Sequence, residues 1–365
     1  MAKIRNTFDL SKFRKTVTKS IDGISMGFRD PSIWIDTGNY TLNYLISGDF
    51  YKGVPLGKVT ILAGRSGSGK SYLASANLVK NAQKQGILCV IIDTENAIDE
   101  GWLQKLGVNT SEDMLLKVNI ASINDCGKFI DTFVKGYRAD YADVPEKERP
   151  GVLFVIDSLG MLLDPVMQEQ FGSGNLAAGS RGLKAKALRA LIVNSVNLIA
   201  DWNIALVCTN HTNASQDQYS PDDIIAGGDG QIFAASIVVA LKKGKLKEDE
   251  DGNKTTEVGG IRSMCTVYKS RFNHKALFKK VEIKIPFETG MQPDSGLFEF
   301  FESEKMLIKE GNRYSYTGPS GTFKEFRKNI TDDQFTILMT DYPAFIENVK
   351  PTPEQLDEID GEEEV

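Results

Sequence analysis

This sequence has few cysteines, no membrane-length apolar run and no excess of positive charge. Its four cysteines, Cys89, Cys126, Cys208 and Cys265, lie far apart and show no metal-type pairing. Cys89 and Cys208 fall inside strand-like apolar runs, so we expect buried free thiols in a reducing cytoplasm. The first residues (MAKIRNT) lack the apolar segment of a signal peptide, and no apolar run could span a bilayer. We therefore expect a cytoplasmic protein without a membrane span.

A generally basic surface is absent as well, because 43 Lys and Arg residues against 49 Asp and Glu residues leave a net charge of −6. This charge argues against a basic coat for nucleic acid but leaves room for local basic strips. Hydrophobic residues make up 41% and charged residues 25% of the chain, as in ordinary globular proteins. The 365 residues suffice for a large core with appendages, and no repeat of solenoid period is present.

The most informative stretch is glycine-rich: residues 64–71 (GRSGSGKS) fit the phosphate-loop pattern GxxxxGK[ST]. Residues 58–63 predict a buried strand before it, and residues 72–79 predict a helix after it. Backbone N–H groups of such a loop surround a phosphate, Lys70 reaches the outer phosphates, and the Ser71 hydroxyl ligates Mg²⁺. A plain Gly/Ser turn is the alternative, but this context favours a nucleoside-triphosphate site. Its residues would be Gly64, Arg65, Ser66, Gly67, Ser68, Gly69, Lys70, Ser71 and Tyr72.

Residues 87–92 are all apolar, which predicts a parallel strand buried on both faces, and Asp93 and Glu95 follow it. The carboxyl ends of parallel strands share one edge of the sheet, where open α/β proteins bind ligands. Carboxylates beyond a strand are often only helix caps. A phosphate loop in the same sheet nevertheless favours Glu95 as the base that polarises the attacking water.

Two more apolar runs end in polar groups. Residues 151–156 lead to Asp157 and Ser158 in a Walker B pattern, so Asp157 would contact the Mg²⁺ shell and Ser158 would report on it. Residues 204–208 lead through two polar residues to His211. A lone histidine is usually structural. Because His211 lies at the end of a strand, however, a role as a sensor of the γ-phosphate is as plausible as a structural role.

Two stretches after these strands predict irregular loops on the same edge of the sheet. Residues 168–175 are polar and glycine-rich, and residues 176–198 predict a helix with Arg181 early in it. Residues 212–230 are rich in glycine, serine and aspartate. Long irregular loops inside a compact domain are usually functional or disordered.

The next part of the chain alternates between strands and polar segments. Residues 237–241 predict a strand, 242–257 an excursion with a hairpin signal at Asp251 and Gly252, and 262–269 a returning strand. The densest basic segment follows, and a solvated strand face is the alternative to a functional role for it. Its members are Lys269, Arg271, Lys275, Lys279, Lys280 and Lys284.

The two ends of the chain differ from its middle. Residues 8–17 predict a helix with basic spacing, which could pack on its own core or on a neighbouring subunit. The last fifteen residues contain seven acids and no base, so we expect them to be disordered. The expected division is an N-terminal arm (1–33), an α/β core (34–290), an accessory domain of short helices, turns and aromatics (291–350), and an acidic tail (351–365).

Between about Trp34 and Phe287, the chain resembles the RecA recombinases. The resemblance rests on strands alternating with helices, on the phosphate loop, and on the segments CVIIDTENAID (89–99), LGV (106–108) and VIDSL (155–159). The segment TNHT (209–212) and the glycine pair at 227–228 are most similar to the phage branch, the UvsX proteins. Together, and in this order, these motifs are highly specific.

The resemblance implies a RecA-type fold that binds ATP and Mg²⁺, the metal through Ser71 and Asp157. Glu95 matches the catalytic glutamate, and Trp102 falls near the aromatic residue that stacks on adenine. His211 matches the position that links the γ-phosphate to DNA binding. Lys269 and Arg271 match a pair of basic residues that, in the family, reaches across the subunit interface to the neighbour's ATP. The acidic tail resembles tails that restrain access of DNA.

The two irregular loops match the DNA-binding loops of the family's filament. The residues implied are Phe171, Gly172, Ser173, Gly174, Asn175, Arg181, Thr212, Asn213, Gly227 and Gly228. This sequence departs from the family in three respects. The 212–230 loop has four aspartates and few bases, Arg65 has no assignable role, and the N-terminal leader does not clearly match the family's polymerisation strand.

The function implied is ATP-dependent homologous pairing and strand exchange by a homo-oligomeric filament on single-stranded DNA, in recombination, repair and recombination-dependent replication. Duplex DNA, single-strand-binding proteins and mediator proteins would be its partners, and hydrolysis would depend on DNA. A hexameric helicase or other ring motor on the same fold is the alternative, and a non-hydrolysing, nucleotide-gated scaffold is a third. A small-molecule kinase is disfavoured, because the chain has no recognisable acceptor-binding insert.

Overall fold

The computed structural model describes residues 10–20, 30–174, 182–213, 224–248 and 254–348. The predictions for Asn175, Arg181, the Asp251–Gly252 hairpin and the acidic tail fall outside these ranges. The strands are β1 (Trp34–Ile35), β2 (Val54–Pro55), β3 (Val59–Gly64), β4 (Leu88–Asp93), β5 (Leu115–Asn119), β6 (Val152–Asp157), β7 (Ile204–Asn210), β8 (Thr212–Asn213), β9 (Ile224–Ile225), β10 (Ile237–Leu246), β11 (Gly260–Ser270), β12 (Lys280–Pro286), β13 (Ile308–Glu310), β14 (Arg313–Gly318) and β15 (Gly321–Glu325).

Helices alternate with these strands. The α-helices are α1 (Leu10–Ser20), α2 (Tyr40–Ser47), α3 (Val79–Lys84), α4 (Glu100–Lys105), α5 (Ile123–Asp140), α6 (Pro165–Ser173), α7 (Leu183–Ile199), α8 (Asp229–Ala234), α9 (Leu297–Ser303) and α10 (Asp332–Asn348). A π-helix (Tyr72–Leu78) precedes α3, and short 3₁₀ turns lie at Glu146–Glu148, Leu159–Met161, His274–Ala276 and Arg327–Asn329. Across the described ranges, no helix is long and apolar enough to cross a membrane.

The main sheet has eight strands in the order β12-β11-β10-β3-β7-β6-β4-β5. The six strands from β10 to β5 run parallel, and β11 and β12 add an antiparallel edge. Strand β3, which carries the phosphate loop, lies between β10 and β7. The carboxyl ends of β3, β4, β6 and β7 therefore meet at one edge, as the sequence predicts, and the expected RecA-type α/β fold is confirmed.

Each face of this sheet has its own core, which explains why the parallel strands read as continuous apolar runs. On one face, Leu62 and Val155 pack with Leu42 of α2 and Leu73 of the π-helix. On the other face, Ile61, Phe154 and Cys208 pack with side chains of α5 and α7. Strands β3, β4, β6 and β7 are thus buried from both sides, and their polar residues lie at or next to their ends.

All four cysteines are buried and free, as predicted. Burial raises the pKa of Cys89, of Cys126 and of Cys265 to about 12, because a thiolate would lose its solvation in the apolar interior. Burial also raises the pKa of Cys208. These thiols stay protonated at neutral pH and pack as small apolar side chains.

The structure corrects three predictions of local structure. Residues 242–246, predicted as the start of an excursion, extend strand β10. Residues 168–173, predicted as an irregular loop, form the last two-thirds of α6. Beyond residue 291 the chain contains a three-stranded antiparallel sheet, β13-β14-β15, and the 17-residue helix α10, rather than only short helices and turns. Strand β5 and helix α5 were not predicted. The N-terminal helix is present, and its Leu10 and Phe13 side chains are about half exposed.

The C-terminal sheet and helices share an aromatic core with the main domain. Tyr44 of α2 packs edge-on against Phe300 and Tyr342, with ring centroids 5.2 Å apart in both pairs. Phe50, which follows α2, lies 5.7 Å from Phe301. The cluster therefore crosses the boundary expected near residue 290, because α2 contributes to the core of the C-terminal unit.

Candidate nucleotide site

The phosphate loop follows β3, and its glycines are required by its shape. Gly67 and Gly69 have φ angles of 72° and 93°, a left-handed conformation that side chains rarely adopt. A Cβ atom on Gly64 would collide with the carbonyl oxygen of Leu241 on the neighbouring strand. Arg65 and Ser66 are exposed at the tip, whereas Ser68 is buried. The π-helix that starts at Tyr72 is of a kind frequent at functional sites.

Lys70 lies folded over this loop. Its ammonium group donates to the carbonyl oxygens of Gly64 at 2.8 Å and Arg65 at 3.0 Å. Burial lowers the pKa of Lys70, and the nearby carboxylates of Asp157 and Glu95 oppose that shift by favouring the charged form. A buried ammonium whose bonds go to loop carbonyls is ready to exchange them for the oxygens of an anion.

Asp157 at the end of β6 is buried and accepts two hydroxyl hydrogen bonds. Ser75 of the π-helix donates to its Oδ2 atom at 3.2 Å, and Thr209 of β7 donates to its Oδ1 atom. Within the described part of the chain, no group of three or more His, Cys, Asp or Glu side chains gathers in a metal-ligating cluster. One carboxylate among hydroxyl groups suits Mg²⁺, which is usually held by one or two carboxylates and the substrate's phosphates. Asp157 therefore fits this metal, and Ser71, which directly precedes the π-helix, offers the hydroxyl group that the phosphate-loop motif supplies.

Glu95 is held by groups from two other strands. Ser158 donates from its hydroxyl to the Glu95 Oε1 atom at 2.8 Å, and the His211 Nε2 atom lies 3.1 Å from the same oxygen. The side chains of Glu95 and His211 are each about one-third exposed, at 34% and 33%. The Asp157–Ser158 peptide bond in this group is cis. The structure thus brings together Glu95, Ser158 and His211, which follow β4, β6 and β7.

Asp93, in contrast, is a cap. Its carboxylate accepts backbone N–H groups of Glu95 at 3.2 Å, Ala97 at 3.4 Å and Ile98 at 3.1 Å. Lys117 of β5 forms an ion pair with it at 3.1 Å. The structural role that carboxylates usually have after strands therefore applies to Asp93, which fixes the turn that carries Glu95.

Thr94 connects this turn to β6. Its hydroxyl donates to the Ser158 carbonyl oxygen at 2.8 Å and accepts from the Ser158 N–H at 2.7 Å. Replacing Thr94 with valine keeps the shape but leaves the buried Ser158 N–H without its partner, whereas the Ser158 carbonyl oxygen still accepts from the Met161 N–H at 3.3 Å. We expect the free energy of unfolding to fall by about 1–3 kcal/mol, measured by urea denaturation without nucleotide.

Thr60 of β3 is the matched control for that substitution. Its side chain is fully buried, and its hydroxyl has no hydrogen-bond partner in the described structure. Thr60→Val should therefore be neutral or stabilising in the same denaturation experiment. Equal destabilisation by the two substitutions would contradict the role assigned to the Thr94 hydroxyl.

The second predicted loop is anchored beside His211. Thr212 and Asn213 form β8, which pairs with β9, and the Ala226 N–H donates to the His211 carbonyl oxygen at 2.9 Å. Asn210 donates from its side chain to the Ala226 carbonyl oxygen at 2.7 Å. Gly227 and Gly228, with φ angles of 89° and 78°, then lead into α8. The main chain on both sides of residues 214–223 is therefore fixed at the edge of the sheet that holds Glu95.

The first predicted loop begins at the end of α6, where Gly172, Ser173 and Gly174 are exposed. Beyond the gap, Lys184 of α7 donates to the Gly160 carbonyl oxygen at 2.6 Å. A Cβ atom on Gly160 would lie 3.0 Å from the His211 ring. Gly160 thus links α7 to His211, because it accepts a hydrogen bond from α7 and lies next to the His211 ring.

The other expected nucleotide contacts lie in different environments. Trp102 is half-buried on α4 and packs against the hydrophobic core on one face of the sheet. Tyr72 accepts a hydrogen bond from the Met291 N–H at 2.9 Å through its hydroxyl, so that atom faces the end of the α/β core. Burial raises the pKa of Tyr72.

Lys269 and Arg271 lie away from the edge that holds Lys70 and Glu95. Lys269 donates from its ammonium group to the carbonyl oxygens of Ile232 at 3.0 Å and Phe233 at 2.7 Å, at the end of α8. Arg271 is exposed, and its N–H donates to the Ser236 carbonyl oxygen beside the first residue of β3. The phosphate loop, in contrast, follows the last residue of β3. The six residues of this strand separate the loop from the position of Arg271 by about 20 Å.

This fold and this site define a phosphate-loop ATPase built on a mostly parallel α/β sheet. Residues 31–292 match the model of the RecA N-terminal domain, and the chain belongs to the RecA family. Its function is that of a RecA-type recombinase, a family whose members are DNA-dependent ATPases.

Several curated relatives resemble the chain over most of its length. The mitochondrial DNA repair protein recA homolog 3 of Arabidopsis thaliana is 24% identical over 356 residues, which cover 90% of this chain and 75% of the relative. Protein RecA 2 of Myxococcus xanthus is 26% identical over 287 residues, covering 78% and 72%. Protein RecA of Leifsonia xyli subsp. xyli is 26% identical over 323 residues, covering 88% and 81%.

Proposed function

We propose that this protein assembles into a helical filament on single-stranded DNA and pairs it with homologous duplex DNA. ATP would bind between adjacent subunits, and its γ-phosphate would switch the filament into the form that holds DNA. The observation that carries this proposal is the contact between Glu95 and His211, because His211 is bonded through its main chain to the base of the second loop. His211 thereby connects Glu95, at the edge expected to bind the nucleotide, to the segment expected to bind DNA.

Each side chain of the site has a separate task in the proposed hydrolysis. The loop amides and Lys70 hold the phosphates, and Glu95 orients and polarises the attacking water. Mg²⁺ would be held by Ser71 and Asp157 and would neutralise charge on the phosphates. Negative charge that develops in the transition state would be stabilised by Lys269 and Arg271 of the neighbouring subunit, because in their own subunit they lie far from the loop.

DNA contacts are proposed for both loop segments. They would involve residues 171–175 with Arg181 in the first loop, and Thr212, Asn213, Gly227 and Gly228 in the second. The four aspartates between 212 and 230 leave backbone N–H groups as the natural donors to DNA phosphates there. Affinity should come mostly from phosphate contacts and should therefore fall as salt rises.

Within the RecA family, we assign the chain to the phage UvsX branch on the segment 209–212 and the glycine pair at 227–228. The assignment places it in the cytoplasm of a host cell and gives it single-strand-binding and mediator proteins as partners. Residues 1–33 would serve as an oligomerisation arm, 34–290 as the ATPase and DNA-binding core, and 291–350 as an accessory domain. The tail from 351 to 365 would restrain access of DNA.

Electron microscopy tests the proposed assembly. The protein is mixed with single-stranded DNA and a slowly hydrolysed ATP analogue, with matched samples that contain ADP or lack DNA. We expect open helical filaments that are longest when both the analogue and DNA are present. Closed rings under all of these conditions would contradict the filament and support the alternative of a hexameric motor.

A further inference from the structure

Strand β10 continues past the end of β3 and along the phosphate loop. The two strands run parallel, and their last paired residues are Leu241 and Gly64, the first residue of the loop. Strand β10 extends to Leu246, so the residues after Leu241 run beside the loop itself. Residues 242–246 of β10 therefore border the segment that is built to surround phosphates.

Cross-strand pairing determines which of these residues faces the loop. Lys243 lies directly opposite Ser263 of the antiparallel strand β11, and directly opposite residues of such a pair project from the same face. The Ser263 hydroxyl donates to the carbonyl oxygen of Ser68 in the phosphate loop at 2.9 Å. The Lys243 side chain must therefore project toward the loop as well.

The ammonium group of Lys243 stands next to Gly67. A Cβ atom built on Gly67 would lie 2.5 Å from the Lys243 Nζ atom and 3.3 Å from its Cε atom. In the structure the Lys243 side chain therefore occupies the space that a Cβ atom at position 67 would take. Lys243 and Lys70 thus bring two ammonium groups to the same short loop.

Two cations of this sheet edge, Arg262 and Lys284, have acidic partners, whereas Lys243 has none among the described residues. Arg262 and Lys284 both form ion pairs with Glu248, and Arg262 also lies 3.3 Å from Glu282. Among the described residues, no carboxylate forms an ion pair with Lys243, and its side chain is exposed. An unneutralised positive charge therefore borders a loop whose amide N–H groups attract anions.

We infer that Lys243 is a second lysine that contacts the phosphates of the nucleotide bound in its own subunit. The inference rests on the nucleotide site proposed above and adds to it a cation that the phosphate-loop motif does not contain. Lysine acts as a compact point charge. Its contribution to binding should therefore grow with the number of phosphates and vanish for a ligand without any.

Lys243→Met tests this contact, because methionine keeps an unbranched side chain and removes the charge. We expect the dissociation constant for ATP to rise about fivefold, the size of a solvent-exposed charge pair. The increase should be smaller for ADP and absent for adenosine. The measurement is titration of the full-length protein with each ligand at low salt, in the absence of DNA.

Two further variants make the result specific. Lys245 is exposed, lies on the same face of β10 two residues farther from the loop, and serves as the matched control. Lys245→Met should leave all three dissociation constants unchanged. Lys243→Arg keeps the charge and should retain most of the affinity for ATP.

Lys70→Ala separates failure of this inference from failure of the site. If Lys70→Ala weakens binding of ATP and Lys243→Met does not, the contact is absent while the nucleotide site stands. Equal weakening of ATP and adenosine by Lys243→Met would also overturn the inference, because a charge contact depends on phosphates. Unchanged ATP binding by Lys70→Ala would refute the nucleotide site itself.

Discussion

Replacing Glu95 with glutamine is expected to lower ATP hydrolysis by about 10²-fold or more, the size of a lost general base. Glutamine keeps the length of the side chain and an oxygen that can accept from the Ser158 hydroxyl, so the site should keep its shape. ATP should still bind, and filaments on DNA should persist longer because the nucleotide is not consumed. Phosphate release in the presence of single-stranded DNA measures the first effect, and filament lifetime measures the second.

Glu100→Gln is the matched control for this experiment. Glu100 lies in the first turn of α4 and is exposed, and its carboxylate accepts from Thr110 at 2.9 Å. Its neutralisation should leave hydrolysis unchanged. If Glu95→Gln hydrolysed ATP at the normal rate, Glu95 would be only a structural residue of the turn after β4.

The double substitution Lys269→Ala and Arg271→Ala is expected to abolish DNA-stimulated hydrolysis while leaving ATP binding to a single subunit nearly intact. Both residues lie away from the edge that holds the phosphate loop of their own subunit. They can therefore stabilise charge on a phosphoryl group only if a neighbour presents its site to them. Binding is measured by titration of unassembled protein, and hydrolysis is measured with saturating single-stranded DNA.

Mixing two inactive proteins distinguishes action across an interface from damage within a subunit. Lys70→Ala protein has intact Lys269 and Arg271, and the double variant has an intact phosphate loop. One kind of mixed interface pairs both intact halves, so DNA-dependent hydrolysis should return in the mixture. The absence of recovery at every ratio, in filaments shown to contain both proteins, would leave the basic pair as a DNA-facing or solvated surface.

Sequence reasoning placed the phosphate loop, Glu95 and Asp157 at one edge of the sheet because their signals are local. Strands β3, β4 and β6 have bounds within one residue of the predicted apolar runs and β7 within two, since strands buried on both faces have few polar interruptions. The phosphate-loop motif also fixes the number of residues between its first glycine and Lys70. The positions of Lys70, Glu95 and Asp157 follow from these two features alone.

The elements that sequence reasoning missed have weak local signals. Strand β5 alternates little and is exposed at most of its positions, because it lies at the edge of the sheet and pairs only with β4. Strands β13 to β15 are short and largely exposed, and they are held by pairing with each other and by the aromatic core. The end of α6 contains glycine and serine, which favour a loop when no packing is considered.

The hydroxyl groups of Ser71 and Ser158 follow from the motifs, but those of Ser75, Thr94 and Thr209 could not have been found from the sequence. Serine and threonine are common residues, and the partners of these three, Asp157 and Ser158, lie far away in the sequence at the end of β6. The Glu95–His211 contact joins residues 116 positions apart and spans from β4 to β7, with β6 between them in the sheet. Only the strand order makes such a contact visible, and that order is set by tertiary packing.

The aromatic core that α2 shares with the C-terminal unit limits how this chain can be divided or exchanged. Tyr44 and Phe50 belong to the N-terminal part of the chain yet are buried among Phe300, Phe301 and Tyr342. A chimera that takes residues 291–348 from a relative would place foreign aromatic rings against these two side chains. Such an exchange would have to include α2 and Phe50. The C-terminal structural unit is therefore made of two segments that are separate in the sequence.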